Sequence, residues 1–186
     1  MDPRDLTWAE LARTRRSVTE YTGEVVSRDL VREIVAEATQ APSAFNSQPW
    51  RFVVVQGEDL DAFEDVLGGN HGKTAGAGTL VAVFADLADV TGDGDRADYY
   101  DGRTGRSAIE FGVRNASLGA MSLMYAAWSH GVATRPMIGF DADGLAEQLE
   151  VPSTWHPVLV MAMGWPSHDT PGPGERKDVD EVLRFV

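Results

Sequence analysis

Three stretches of this sequence carry side chains able to grip an anionic or heteroaromatic ligand. Arg15-Arg16-Ser17 sets two guanidinium forks beside a hydroxyl, a combination suited to a phosphate and to the polar edge of a heterocycle. Alone, such a pair at a helix end of an acidic protein is solvated more often than not. Ala41-Pro42-Ser43-Ala44-Phe45-Asn46-Ser47-Gln48-Pro49-Trp50 places Ser, Asn and Gln between two prolines, just ahead of an apolar run. Prolines that fix such side chains beside a sheet edge make either a rigid hydrogen-bonding wall or simply a structured turn. The third stretch, Gly68-Gly69-Asn70-His71-Gly72-Lys73-Thr74, is one residue out of step with a phosphate-binding loop, because Leu67 stands where the first glycine belongs. It also follows a helical pattern and leads into a strand, the reverse of the order that loop requires.

Other chemistries find no support. His71, His130, His156 and His168 fall at spacings without a metal-ligand pattern and read as surface or loop histidines. Asp93-Gly94-Asp95 begins like a calcium loop, but Ala97 occupies its fifth place. No metal is expected. There is no cysteine, no serine in nucleophile-elbow surroundings, and no Gly-x-Gly-x-x-Gly after a strand.

The elements that must position these residues are legible in the hydrophobic pattern. Thr7-Trp8-Ala9-Glu10 has capping-box spacing and starts a helix towards Arg13. Ser27 caps a second helix, with Leu30, Val31, Ile34, Val35 and Ala38 at helical intervals until Pro42 stops it. Trp50 to Val55 and Thr79 to Ala85 read as buried strands, with a helix built on Leu60, Phe63 and Leu67 between them. The Asp- and Gly-rich stretch from Asp86 to Gly105 reads as a long loop that could act as a lid. Arg106 to His130 is a helix with apolar or small residues on more than one face, expected to be buried all round. Val132 to Thr134 is a short strand, Asp141 opens a helix carrying Leu145 and Leu149, and Pro157 to Trp165 is the last strand. The apolar end, Glu181 to Val186, is expected to dock on a partner surface such as another subunit.

Composition sets the outer limits. With 186 residues and 43% apolar content, the chain is expected to form one domain over residues 1–186. Sixteen basic against twenty-nine acidic side chains give a net charge of −13, which repels nucleic acid and anionic membranes. The start, Met1-Asp2-Pro3-Arg4-Asp5, lacks a signal-peptide pattern, so a soluble cytoplasmic protein is expected.

Arg15-Arg16-Ser17 followed by Pro42-Ser43-Ala44-Phe45-Asn46-Ser47-Gln48-Pro49-Trp50-Arg51-Phe52-Val53-Val54-Val55 resembles the FMN-dependent nitroreductase family in order and spacing. The resemblance continues through Asn115 in the long helix, Arg135-Pro136-Met137-Ile138-Gly139-Phe140-Asp141, Met163-Gly164-Trp165-Pro166 and Arg176-Lys177-Asp178-Val179-Asp180-Glu181-Val182. It implies an α+β fold, a central mixed or antiparallel sheet flanked by helices, in an intertwined homodimer with FMN at the interface. Arg15, Arg16, Ser17 and Thr19 would meet FMN from one subunit, with Arg176 on its phosphate. Asn70 and Lys73 would lie near its pyrimidine ring, if one residue of offset is allowed, and Pro136, Ile138 and Gly139 beside its N5 edge. Pro42, Ser43, Ala44 and Asn46 would come from the other subunit.

The implied activity is ping-pong hydride transfer from NAD(P)H, a transient co-substrate, to nitroaromatics, quinones or other electron-poor acceptors. The flavin N5 would carry the hydride, so no catalytic side chain is expected. A non-catalytic FMN storage or sensor protein is the alternative. Departures from the family pattern bear on that choice: Thr19 stands where Lys or Arg is frequent, Ile138 replaces a glutamate, and Gly174 stands at a common cation position. Without a cation near flavin N1 and O2 the reduced flavin anion is less stabilised, unless Lys73 or Arg15 compensates. A Thr19→Lys variant is therefore expected to raise the flavin midpoint potential, and a titration showing no rise would remove this electrostatic account.

Overall fold

The computed structural model describes residues 3–70, 72–92, 108–167, 172 and 174–186. Thr7 opens α1 (Trp8–Thr14) through a capping box, its hydroxyl accepting from the Glu10 N–H and the Glu10 carboxylate from the Thr7 N–H at 2.8 Å. The Ser27 hydroxyl accepts from the Leu30 N–H at 3.2 Å to start α2 (Arg28–Ala38), which buries Val31, Ile34 and Ala38. After β1 (Trp50–Gln56), the segment expected to be one helix is two 3₁₀ pieces, Gly57–Phe63 and Asp65–Asn70. Gly57, at φ of 65°, turns the chain as it leaves β1, and Gly68, at φ of 53°, kinks the second piece from within. Phe63 and Leu67 are buried there all the same.

β2 (Thr79–Asp86) leads straight into α3 (Leu87–Thr91), capped by the Asp86 side chain on the Ala88 N–H. The loop expected from Asp86 thus begins later, and its stretch from 93 to 105 lies outside the described residues. The long helix α4 runs over Ala108–Ser129, followed by β3 (Ala133–Met137), α5 (Ala142–Gln148) and β4 (Trp155–Gly164). A single turn, α6 (Val179–Val182), carries the exposed C-terminal end.

The four strands form one antiparallel sheet in the order β1-β2-β4-β3, so β1 and β3 are its edges. Of the two sheet forms expected, the antiparallel one is realised. Alternation along the strands splits the core in two. Val81, Val83, Ala85, Met161 and Met163 pack with α2 and α4, whereas Leu80, Ala82, Phe84, Val160 and Ala162 pack with α5 and the 3₁₀ pieces. Residues 17–26 cross one end of the sheet, touching each strand or its flank in turn. Ser17 bridges Thr134, Tyr21 bridges Pro166, the Gly23 N–H donates to Gly76 O at 2.8 Å, and Gln56 Nε2 donates to Val26 O at 2.6 Å.

α4 reaches the sheet through glycine. A Cβ at Gly119 would stand 2.9 Å from the Trp50 ring, and one at Gly112 would stand 2.9 Å from Leu87 Cδ2. The helix is buried on that face alone. Ile109, Leu118 and Met121 on its other side are 44%, 45% and 41% exposed, which corrects the expectation of burial all round within one chain. Gly119→Ala should lower the unfolding free energy by about 1–2 kcal/mol, because the clash outweighs the gain in helix propensity. Thermal unfolding would register it as a fall of roughly 3–6 °C in Tm.

Candidate functional site

α1 delivers the arginine pair. Arg15 is its C-terminal cap, and the preceding Thr14 hydroxyl accepts from Trp128 Nε1 at 3.0 Å, tying the end of α1 to α4. The Arg16 guanidinium carbon lies 5.3 Å from the centroid of the same indole, a cation–π contact. Arg15 Nη1 and Arg16 Nε are buried and have no hydrogen-bond partner among the described residues. Buried N–H donors are nearly always paired, so this pair fits an acceptor supplied from outside the chain. Ser17 and Val18 then lie along the outer edge of β3, where the Val18 N–H donates to Thr134 O at 3.4 Å, and Thr19 is exposed. The Tyr21 hydroxyl donates to Val18 O at 3.0 Å. Burial pushes this phenol well above its usual range, against the opposing pull of Arg135, so it holds its proton and its bond at every working pH.

Asn70 joins two segments far apart in sequence. Its Nδ2 donates to Gly139 O at 2.6 Å, while its Oδ1 accepts from Lys73 Nζ at 2.7 Å. A single amide thus fixes the lysine beside the turn that follows β3. In that turn Ile138 is 82% exposed and Gly139 is exposed, with Pro136 half-buried in the strand itself. The phosphate-loop alternative has no geometry to support it, since residues 72–77 form turns that run into β2 and no helix follows them.

Pro42 to Asn46 sits elsewhere. Ala44–Asn46 is a 3₁₀ turn with Phe45, Asn46 and Gln48 at φ of 55°, 54° and 46°. Three non-glycine residues in the left-handed region cost about 1 kcal/mol or more each, so neighbouring bonds must hold them. Ser43 Oγ accepts from the Gln48 N–H at 2.9 Å, and Asn115 Oδ1 accepts from the Ala44 N–H at 2.8 Å. Buried Asn115 uses its other end as well, with Nδ2 donating to Phe111 O at 2.8 Å. This turn leads into β1, one edge of the sheet, whereas Ser17, Asn70, Lys73 and Gly139 gather around β3, the other edge. Three strand spacings, about 14 Å, separate the edges. Arg176 donates to the carbonyls of Gly174 and Glu175 in the exposed C-terminal segment, and no described contact brings it to either group.

Residues 12–70 and 66–165 match the model of the Nitroreductase family. This chain belongs to that family. A protein of Thermus thermophilus named NADH dehydrogenase is 29% identical, the alignment covering 91% of each chain. A solved structure of a nitroreductase family protein from Streptococcus pneumoniae superposes with a TM-score of 0.82 at 27% identity, covering 97% of this chain and all of that one. A structure from Exiguobacterium sibiricum, determined in complex with FMN, superposes with a TM-score of 0.84 at 24% identity, covering 97% and 98% of the two chains.

Within this nitroreductase-family chain some site residues escape the sequence pattern. Trp128 and Glu64 support the arginine pair and the lysine turn, yet an indole and a carboxylate are each common for other reasons; Asn115, already part of the resemblance, gains from the structure its role in holding the Ala44 turn. Of the surface-or-loop histidines, His130 lies in the turn after α4, but its side chain is only 7% exposed and its Nε2 lies 3.0 Å from Glu37 Oε1, with Glu33 close by. His156 corrects that reading, since it is half-buried within β4. His71 and His168 lie outside the described residues.

Two stability measurements check this architecture. Asn115→Ala removes the acceptor of the part-buried Ala44 N–H, and urea unfolding should show a loss of about 1–3 kcal/mol. The Glu10 carboxyl is held below its usual pKa of 4.5, first by its side-chain hydrogen bond to Thr7 and then by the Thr7 backbone N–H. Its contribution is therefore present above that pH and is lost as pH falls through the lowered value. Thr7→Ala should flatten this part of the acid unfolding curve, and an unchanged curve would show that the cap contributes nothing.

Proposed function

We propose that this chain is an FMN-dependent NAD(P)H oxidoreductase acting as a homodimer, with each flavin held by both subunits. The observation that carries the reading is the Asn70 bridge, which sets Lys73 against Gly139 although these residues are distant in sequence. The unpaired buried donors of Arg15 and Arg16 fit an anionic, heteroaromatic cofactor. FMN, when bound, supplies the relay of a hydride from NAD(P)H to an electron-poor acceptor such as a quinone or nitroaromatic.

The remaining work falls to the chain. Arg15, Arg16, Ser17 and Thr19 hold polar edges of the cofactor, Lys73 offers positive charge at one end of it, and Asn70 fixes the lysine. Pro136, Ile138 and Gly139 line one side, and Arg176 takes the phosphate. Exposed Ile138 and Gly139 leave room for donor and acceptor to occupy one place in turn, which makes the kinetics ping-pong. No protein acid is required, because solvent can supply the proton. The wall formed by Pro42, Ser43, Ala44 and Asn46 reaches the site from the other subunit. Its position on the opposite sheet edge supports that arrangement, as do exposed Ile109, Leu118 and Met121 and the apolar end from Val179 to Val186. Among the described residues no helix is long and apolar enough to cross a membrane.

The purified protein should be yellow, release FMN on denaturation, and sediment as a dimer. NAD(P)H oxidation should rise on addition of a quinone, with parallel double-reciprocal plots. A flavin-loaded protein without acceptor-stimulated turnover would instead be a storage or sensor protein, and a colourless one that ignores added FMN would remove both readings.

A further inference from the structure

The turn that carries Lys73 is held by a residue outside the cofactor set. Glu64 ends the first 3₁₀ piece, and its carboxylate reaches across to residues on both sides of the lysine. Oε2 accepts from the Gly72 N–H at 2.6 Å, and Oε1 accepts from the hydroxyl of Thr74, a residue only 4% exposed. Between these anchors the Lys73 N–H donates to Asn70 O at 2.9 Å, closing the turn on the same residue that its ammonium meets. Gly72 sits at φ of 75°, a conformation that glycine adopts without steric cost and that lets the chain turn ahead of the lysine. A lysine is a flexible point charge, so its effect on a ligand depends on how firmly its backbone is aimed.

We propose that Glu64 is a positioning residue for Lys73: it clamps Gly72 and Thr74 so that the ammonium stays on Asn70, beside Gly139, and faces the cofactor. The proposal rests on the FMN reading above. The carboxylate has no need to touch the flavin, since it acts through the two residues that flank the lysine. Charge-assisted bonds from a backbone N–H and a hydroxyl make a stiffer clamp than neutral ones. Glutamine can accept from the Gly72 N–H and donate to the Thr74 hydroxyl, so Glu64→Gln keeps the shape of the clamp but turns two charge-assisted bonds into weaker neutral ones.

The test is a double-mutant cycle on FMN affinity, measured by quenching of flavin fluorescence with the full-length protein. Glu64→Gln alone should weaken binding about tenfold, because both bonds of the clamp lose their charge assistance and roughly half their strength. In a Lys73→Ala background the same substitution should change affinity less than twofold, because the group it positions is gone. Equal losses in both backgrounds would mean that Glu64 supports the fold at large, and no loss in either would mean that it clamps nothing; both overturn the proposal. Should Glu64→Gln fail to fold, Thr74→Val removes one of the two bonds with little change of shape, and the same cycle with that variant decides. Wild-type protein that binds no FMN would overturn the functional reading itself, an outcome distinct from either failure of the clamp.

Discussion

The structure depends on the burial of two central strands on both faces. β2 and β4 carry almost wholly buried residues from Leu80 to Ala85 and from Val160 to Met163, so neither sheet face can be left to water. Each buried large apolar side chain contributes about 1.5–3 kcal/mol, and that gain requires a layer above and a layer below. α2 and α4 cover one face, with α5 and the 3₁₀ pieces on the other. The edges are what remain free to do something else, and the candidate site residues lie along them.

The two edges are furnished differently. At β3, α1 and the crossing segment bring the arginine pair, and Asn70 brings Lys73. At β1, three left-handed residues are pinned by Ser43 and Asn115 into an exposed turn. Strain of that kind persists only where surrounding bonds over-determine it, and here a buried amide using both of its ends does so. The separation of the edges gives the homodimer a physical purpose in the proposed function, since one sheet cannot fold its own opposite edges together.

The pattern of supporting bonds is consistent across the site. Ser17, Thr19 and Ile138, proposed to meet the cofactor, are exposed, and Arg15 and Arg16 hold unpaired donors, whereas the side chains behind them are committed: Trp128 to Thr14, Asn115 to Ala44 and Phe111, Glu64 to Gly72 and Thr74. Such committed groups set the aim of flexible arginine and lysine side chains at little cost in ordering entropy when a ligand arrives.

Local signals determined much of this protein from sequence alone. The capping box at Thr7, the Ser27 cap, the runs from Trp50 and Thr79 and the cap at Asp141 all depend on neighbours within four residues, so they are legible in one dimension. The spacing of the Pro42 to Trp50 stretch carried the family. Other features needed the tertiary structure. That the segment after Gly57 forms two 3₁₀ pieces is not encoded by Leu60, Phe63 and Leu67, whose spacing leaves the hydrogen-bonding pattern open. That α4 is buried on one face alone follows from which side meets Trp50 and Leu87. The joining of Asn70 to Gly139, and the clamp of Glu64 around Lys73, arise because long-range contacts are decided by packing across the sheet, where a side chain's type leaves its partner open.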